Sequence, residues 1–384
     1  MSHPFYRLTA PSRWETAVES LSFSSLRAIE RCPRQWQLRR SSWPGFERLP
    51  TRPHAAAIEG QIVHEVLDLL FRELCFAGAP PTTSPAFRAV VARVDVPGEI
   101  QRRIDATHAL LAEHPRRLAL RLPLDARSLY NRAAALFQRE YAAVARADAA
   151  PPPPARGPSP RVDLLGALRA RGALTEVPVA HPRLPVRGVI DLVRRDDAGA
   201  HVVDFKTGEV RDEHEEQLAL YALLWWRVTG DLPVALSLRH PRGQRAFEVS
   251  AARLEAIEAA LTVRVEATQR AIAETPAPAR RGDHCAQCDV RPFCDDYWAA
   301  LPTPDAQTAV GRRGVDVAVQ VPGEVEANGF VAGEGKRRLP LVWEAEGGGA
   351  HGPFVAGEVL RIVGARYEDG AVRLVATTEV FHRA

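Results

Sequence analysis

The stretch RGVIDLVRRDDAGAHVVDFKT, residues Arg187 to Thr207, carries the strongest structural pattern in this chain. β-Branched and apolar residues fill two runs, Val186 to Arg194 and Ala200 to Lys206, and the sequence Asp-Asp-Ala-Gly separates them. Two such runs around a short turn are typical of a β-hairpin. We therefore predict two antiparallel strands at the centre of a sheet.

Three charged residues fall inside these apolar strands. Asp191 lies in the first strand, and Asp204 and Lys206 stand on either side of Phe205 in the second. Because side chains alternate along a strand, Asp204 and Lys206 share a face. Desolvating such charges is costly unless something compensates them, and a divalent cation held by the two carboxylates is the simplest compensation. The alternative is a buried salt bridge with no function.

Lysine is rare in this chain. It occurs only at Lys206 and Lys336, although Lys and Arg together number 50. A compact amine can orient a water molecule or lose a proton, whereas a guanidinium is permanently charged and planar. The position of Lys206 inside the hairpin therefore indicates chemistry.

The motif GVIDLV followed by VVDFKTG resembles the core of the PD-(D/E)XK nucleases. It is most similar to their RecB-like branch, which includes the CRISPR-associated RecB-like exonucleases and the AddB subunit of bacterial recombination nucleases. This resemblance implies an α/β fold with a restriction-endonuclease-like core. It also implies that Asp191 and Asp204 bind Mg²⁺ or Mn²⁺ and that Lys206 orients or deprotonates the attacking water.

A helix is predicted from Ala55 to Phe76, because its apolar residues recur at helical spacing. His64 lies at the border of its two faces, where Gln61 or Asp68 could orient the ring. A lone helical histidine is more often structural than a ligand. However, Gly60-x-x-x-His64 resembles the glycine-histidine helix of RecB-like nucleases, which implies that His64 is a metal ligand.

A second helix is predicted from Asp212 to Trp226, where acidic residues precede an apolar stripe. Gln217 and Tyr221 lie one turn apart on one face of this helix. From the pattern alone Tyr221 would be a core residue. The pair resembles the Gln-x-x-x-Tyr motif of the RecB family, which implies that both side chains contact the nucleic-acid strand.

Four of the five cysteines follow a metal-binding pattern. Cys285, Cys288 and Cys294 form C-x2-C-x5-C, which can place three thiolates around one metal centre, and Cys32 precedes a proline at a helix junction. The pattern resembles the 4Fe-4S staple of RecB-like exonucleases, which implies that Cys32 is the fourth ligand. Structural zinc is the alternative, because thiolates alone do not select between these metals.

Two further segments of the first 300 residues concern the site. A strand is predicted from Leu174 to Ala180, and Glu176 on it could reach the metal or lie at the surface. Amphipathic helices are predicted between Thr82 and Ala149, where the resemblance implies a helical insertion beside the DNA, followed by a proline-rich loop at Ala149 to Pro160.

The last 75 residues or so have a different character. Short alternating strands are separated by glycine-rich turns, including the hairpin signal Glu368-Asp369-Gly370. This pattern predicts a small all-β barrel of OB type. Its aromatic residues would either stack on bases or fill the core, and its basic residues would follow phosphates; the candidates are Phe330, Trp343, Tyr367, Phe381, Arg312, Arg313, Lys336, Arg337 and Arg338.

Length and composition limit the remaining possibilities. The 384 residues suffice for a RecB-like domain at 13–300 and an OB-like domain at 306–384. The N-terminus lacks a signal-peptide pattern and no long apolar run exists, so we expect a cytoplasmic protein with no membrane partner. A net charge of +3 does not by itself indicate a nucleic-acid partner.

The first functional hypothesis is a metal-dependent DNA nuclease. It would act as an exonuclease on single strands or free ends, in DNA repair, CRISPR adaptation or defence against phage. The alternative is a nonenzymatic DNA-binding or scaffold subunit of a larger complex. The chain contains no G-x-x-x-x-G-K-[ST] motif, so any helicase motor or defence-system partner must be a separate protein.

Overall fold

A computed structural model describes residues 4–116, 123–145, 163–311, 314–323, 325–326, 329–334, 337–343 and 354–383. The predicted proline-rich loop lies outside the described residues, as do the side chains of all five basic residues predicted to follow phosphates in the C-terminal part. None of the helices in the described part of the chain is long and apolar enough to cross a bilayer.

In the described part of the chain, seven α-helices precede the first strand of the central sheet. Serine and aspartate residues cap several of their N-termini; Ser22, for example, accepts a hydrogen bond from the amide of Ser25 at 3.2 Å. Cys32 ends the first helix and caps the second, as its place before a proline predicts. The helices are α1 Phe23–Arg31, α2 Pro33–Arg40, α3 Ala55–Phe76, α4 Pro85–Val94, α5 Val96–Ala112, α6 Ala126–Val144 and α7 Leu164–Arg171.

A five-stranded sheet forms the centre of the N-terminal part, with the strands adjacent in chain order. Its strands are β1 Ala173–Ala180, β2 Arg187–Arg195, β3 Ala200–Phe205, β4 Ala235–His240 and β5 Gly243–Phe247. Only β3 and β4 are parallel, and helix α8, Asp212–Thr229, makes the crossover between them. The sequence therefore predicted the hairpin and the α/β class correctly.

Helices cover both faces of this sheet. Helices α1, α8 and α9 (Ala251–Ala273) pack on one face, where Trp225 is fully buried. Helices α3 to α6 pack on the other face, around Phe71 and Tyr141. The helices predicted between residues 82 and 149 thus form a layer against α3, as an inserted helical unit would.

The cysteine-rich segment follows α9 and has little regular structure. It consists of two 3₁₀ turns, Asp283–Gln287 and Arg291–Phe293, and two short helices, α10 Asp295–Ala299 and α11 Pro304–Ala309. No disulfide joins the five cysteines, all of which lie among the described residues. Cys75, near the end of α3, is buried in the core between α3 and the neighbouring helices.

The described residues of the C-terminal part form a sheet of six strands. Its strands are β6 Val315–Gln320, β7 Gly329–Glu334, β8 Arg337–Trp343, β9 Val359–Glu368, β10 Ala371–Leu374 and β11 Glu379–Arg383. Strand β10 pairs in parallel with β8 and antiparallel with β9, so strands β6 to β10 close into a ring and β11 extends it beside β9. The connections fit the small barrel that the sequence predicts.

The structure divides one run of residues in this barrel and decides between the two roles considered for three of its aromatic residues. Residues 371–380 resemble one strand, but a turn in which the Thr378 amide donates to the Val375 carbonyl at 2.8 Å divides them into β10 and β11. Phe330, Trp343 and Phe381 are at most 7% exposed, so they fill cores and cannot stack on bases. Burial of these apolar rings stabilises the folded protein, whereas rings exposed for base stacking would not contribute in this way.

Buried ion pairs join the cysteine-rich segment to the C-terminal strands. Asp316 on β6 accepts hydrogen bonds from Arg291 Nε and from the Tyr297 hydroxyl, both at 2.6 Å. Arg116 donates to Glu379 on β11 at 2.7 and 2.9 Å, and to the Asp289 carbonyl at 2.9 Å. The proposed boundary between residues 300 and 306 stays a prediction, but the parts on its two sides are in close contact.

Asp316→Ala is expected to destabilise the protein by about 3–5 kcal/mol, because Arg291 would keep a buried charge without a partner. Chemical unfolding followed by circular dichroism measures this loss. Glu266→Ala, at an exposed position of α9, is the control and should change stability by no more than about 0.5 kcal/mol. Equal unfolding midpoints for the two variants would contradict a stabilising role for this pair.

Candidate active site

The predicted site lies where the β2–β3 hairpin opens. The last paired residues are Leu192 and Val203, and the next residue of each strand is an aspartate, Asp191 and Asp204. Instead of a ladder bond, the Asp191 Oδ2 accepts the amide hydrogen of Phe205 at 2.6 Å. The strands therefore separate around two carboxylates, and the side chain of one satisfies the backbone of the other strand.

A chain of polar contacts leads from Asp204 to helix α8. Lys206 Nζ lies 2.7 Å from Asp204 Oδ2 and donates to Gln217 Oε1 at 2.9 Å. Gln217 Nε2 in turn donates to the Tyr221 hydroxyl at 2.8 Å. The structure thus brings together four of the predicted residues, and α8 holds the lysine through its glutamine.

Helix α3 brings His64 to the other side of Asp191. Its Nδ1 lies 3.4 Å from Asp191 Oδ1. The close approach of the helix depends on Gly60, because a Cβ atom there would lie 3.1 Å from the Thr207 hydroxyl. The sequence predicted the position of His64 correctly.

The expected orientation of His64 by a neighbour on its own helix is wrong. Gln61 donates instead to Glu65 at 2.8 Å, and Asp68 accepts from Arg72 and from Thr175. These polar side chains have partners on the helix surface or on β1. The partner of His64 is instead Asp191, on β2.

Glu176 joins the site from β1. The potential ligand atoms of His64, Glu176 and Asp191 all lie within 4.8 Å of one another. Thr175 pairs with Leu192 and Val177 with Ile190, so Glu176 faces Asp191 directly across the two strands. Two like charges opposite each other destabilise a sheet, and the pair therefore favours a bound cation.

Burial and the repulsion between neighbouring carboxylates raise pKa values in this site. Burial and then the charge of Asp191 raise the pKa of Asp204, although Lys206 opposes this. Burial, with the charges of Asp191 and Asp68, raises the pKa of Glu176 to about 7. Burial alone would lower the pKa of His64, but Asp191 and then Asp204 raise it. Each carboxylate hinders ionisation of the next.

These residues fit a divalent cation. Three carboxylates and one ammonium leave two negative charges when all are ionised, which one divalent cation would neutralise. The side chain of Asp204 is 3% exposed, and its Oδ2 has the ion pair with Lys206 but no hydrogen bond of good geometry. Oxygen atoms that are buried in this way are suitable ligands.

A cavity of about 540 Å³ opens beside the carboxylates. His64, Glu176 and Asp191 line it together with the exposed Val189 of β2. His64, Glu176 and Asp191 are therefore accessible from solvent. Asp204 lies outside this group of ligand atoms and, like Lys206, does not line the cavity.

The four predicted cysteine ligands line a second, smaller cavity: Cys32, Cys285, Cys288 and Cys294. Burial raises the pKa of Cys288 to about 12 and also raises that of Cys294. Among the described residues, the group of His64, Glu176 and Asp191 is the only one with three or more potential ligand atoms within 4.8 Å, so no three of these sulfurs come that close. Four thiolates on one zinc ion would be about 3.8 Å apart, given Zn–S bonds of about 2.3 Å.

The sequence left open whether Glu176 reaches the metal site or lies at the surface. Among the described residues, Glu176 is one of the few other than glycine that have a positive φ, 45°, although it lies inside a strand. That conformation follows from the irregular pairing at the site and leaves no mark in the sequence. The available signal was its place one strand before the hairpin.

A comparison with protein-family models finds the PD-(D/E)XK nuclease superfamily over residues 20–295. Comparison with curated proteins gives no match. The matched residues contain the opened hairpin, His64 on α3 and the Gln217–Tyr221 pair on α8, and they make up more than half of the chain. The chain belongs to the PD-(D/E)XK nuclease superfamily.

Proposed function

We propose that this protein is a metal-dependent deoxyribonuclease of the RecB-like branch that acts as an exonuclease on single strands or free ends. The observation that carries the proposal is the set of carboxylates at the opened hairpin, with Lys206 held beside them. A binding or scaffold protein has no need for a lysine held between a buried carboxylate and a glutamine. The complete set therefore favours an enzyme over the alternative.

The proposed metal ligands are Asp191, Asp204, His64 and Glu176, and the ion would be Mg²⁺ or Mn²⁺. Such an ion supplies Lewis-acid stabilisation of the phosphate and a more acidic water. The Lys206 ammonium, fixed by Asp204 and Gln217, would orient the attacking water and stabilise charge on the phosphate oxygens. His64 would present a neutral ring nitrogen to the ion. Asp191, whose Oδ1 lies beside the Nδ1 of His64, would orient the ring.

Lys206→Ala is expected to abolish cleavage of DNA but to leave Mn²⁺ binding nearly unchanged, because the ammonium serves the reacting phosphate. Asp191→Ala should lose both, since it removes a ligand. Glu176→Gln should weaken Mn²⁺ binding about 10-fold or more. Electron paramagnetic resonance measures free Mn²⁺, and a labelled oligonucleotide reports cleavage.

Glu65→Gln is the matched control for the ligands, because Glu65 lines the same cavity but pairs with Arg103. It should bind Mn²⁺ as the unchanged protein does. Full cleavage by Lys206→Ala or Asp191→Ala would refute the proposed active site, whereas unchanged Mn²⁺ binding by Glu176→Gln would remove only Glu176 from it.

The pair Gln217 and Tyr221 would position the nucleic-acid strand and fix the lysine. Tyr221 lies against Gly188 of β2, where an added Cβ atom would come within 2.6 Å of the ring. Any side chain at Gly188 must therefore displace the tyrosine, and through Gln217 the displacement reaches Lys206.

Gly188→Ala is expected to lower the rate of cleavage about 10- to 100-fold, because displacement of a positioned group by about 1 Å has effects of that size. Single-turnover assays with saturating DNA separate this loss from weaker binding. Gly208→Ala is the control, since a Cβ atom added there would have none of the described atoms within 4 Å, its chain neighbours apart. Equal rates for the two variants would show that Tyr221 does not act on the reaction.

We also propose that the four cysteines hold a 4Fe-4S cluster. The four cysteines line one cavity, and the buried thiols of Cys288 and Cys294 would need a metal to be stable as thiolates. The cluster would fasten the junction of α1 and α2 to the cysteine-rich segment. Structural zinc remains the alternative.

Protein purified without oxygen is expected to be brown and to carry about four irons per chain. Metal analysis and absorbance near 400 nm test this. Cys32→Ser and Cys285→Ser should lose iron to a similar extent, and Cys75→Ser, a buried cysteine outside the cavity, should retain it. One zinc and no iron would replace the cluster with a zinc site.

The C-terminal barrel is proposed to be of OB type, because its closed ring has β8 and β10 in parallel and β6 beside β9. Its buried aromatic residues do not support base stacking by those rings. A role in holding the cysteine-rich segment in place is better supported by the ion pairs of Arg291 and Arg116.

A further inference from the structure

Three arginine side chains lie together beside the beginning of β2. Arg187 is the first residue of β2, Arg40 is the last residue of α2, and Arg48 follows the turn between Trp43 and Phe46. All three residues are exposed to solvent, although part of the Arg40 side chain is covered. Arg48 and Arg187 lie close enough to Arg40 for their charges, after this partial burial, to lower its pKa, despite the opposing charge of Glu15.

Residues 12–21 pair at their two ends with the chain beside Arg40 and with the chain beside Arg187. At one end the Ser12 amide donates to the Ser42 carbonyl at 2.9 Å. At the other end the Leu21 amide donates to the Pro185 carbonyl at 2.7 Å, and the Arg187 amide donates to the Leu21 carbonyl at 2.9 Å. These backbone hydrogen bonds attach the end of α2 and the start of β2 to the same segment of the chain.

This surface continues from the active site. Arg187, Val189 and Asp191 alternate along β2, so their side chains share a face, and Val189 is exposed in the cavity beside Asp191. The four residue-to-residue steps from Arg187 to Asp191 span ~13 Å at the usual rise of a strand. That length corresponds to about four nucleotides at the rise of a duplex strand.

Carboxylates neutralise the arginines that line the catalytic cavity, but not those of this surface. Arg72 pairs with Asp68, and Arg103 pairs with Glu65 and Glu99. In the described part of the chain, no carboxylate oxygen lies within 4 Å of Arg40, Arg48 or Arg187. Three neighbouring cations without acidic partners repel one another, and an anionic partner would remove that repulsion.

We propose that Arg40, Arg48 and Arg187 bind the phosphate backbone of the substrate strand a few nucleotides from the bond that is cut. The proposal rests on the proposed nuclease function and names the path of the strand: along β2, past Val189, to the end of α2. Phosphate contacts of this kind position a strand without reading its sequence. The surface therefore determines where the strand lies relative to Asp191.

The test is a variant with Arg40→Gln, Arg48→Gln and Arg187→Gln. Binding of a single-stranded oligonucleotide is measured without metal at several KCl concentrations. Loss of three phosphate contacts should lower the slope of log K against log[salt] by about 2, since each contact contributes ~0.7 for single strands. The corresponding triple Arg→Lys variant keeps the charges and should keep the slope.

A matched control removes three exposed arginines elsewhere, Arg127, Arg169 and Arg270. It lowers the net charge equally and should leave the slope nearly unchanged. A slope in the first variant equal to that of the unchanged protein, or an equal fall in both variants, would overturn the phosphate surface.

Hydrolysis of bis(p-nitrophenyl) phosphate separates this inference from the proposed function. The compound is a small phosphodiester that reaches the catalytic carboxylates without extending to the arginines. The triple Arg→Gln variant should therefore cleave it at the same rate as the unchanged protein. Absence of metal-dependent hydrolysis by both would count against the nuclease, whereas the DNA-binding slopes would still decide the role of the arginines.

Discussion

The hydrogen bonds between β2 and β3 stop at Leu192 and Val203, and the candidate site exists because they stop there. Beyond this point each strand carries an aspartate, and the side chain of Asp191 satisfies the amide of Phe205 in place of the missing ladder bond. At this opening Asp191 lines the cavity that reaches solvent, and Asp204 lies deeper, beside Lys206.

Separate elements then supply the remaining groups, each by a different physical means. Helix α3 brings His64 close because Gly60 permits contact with Thr207. Helix α8 holds Lys206 through Gln217, and β1 contributes Glu176 through its cross-strand position. The acidic centre that results is costly without a cation. We therefore regard the charge imbalance as the feature that connects this geometry to metal-dependent chemistry.

A second concentration of buried charge stabilises the contact between the cysteine-rich segment and the C-terminal strands. Arg291 and Arg116 have partners on β6 and β11, and the rings of Phe5, Phe293 and Phe381 meet with centroids 5.6 to 5.9 Å apart. The N-terminal residues take part, since the Leu8 amide donates to the carbonyl of His382. Loss of the proposed cluster would therefore disturb contacts of the barrel as well as those of α1 and α2.

The sequence alone determined the elements and most of the site. Periodicity predicted the bounds of α3, the hairpin and the α/β class. Of the motif residues, His64 lies beside Asp191, and Asp204, Lys206, Gln217 and Tyr221 form a chain of contacts at the same opened hairpin. These features are local, because a strand or a helix face is set by residues a few positions apart. The resemblance to a nuclease family was local for the same reason.

Only the tertiary structure decided which groups meet across the sheet. It brought Glu176 opposite Asp191, replaced the expected helical partner of His64 with Asp191, and separated β10 from β11 by a turn. It also buried three barrel aromatics that could have stacked on bases, and it placed three arginines that pair with no described carboxylate beside β2. These outcomes depend on strand register and on the packing of distant elements, and a pattern of neighbouring residues does not contain that information.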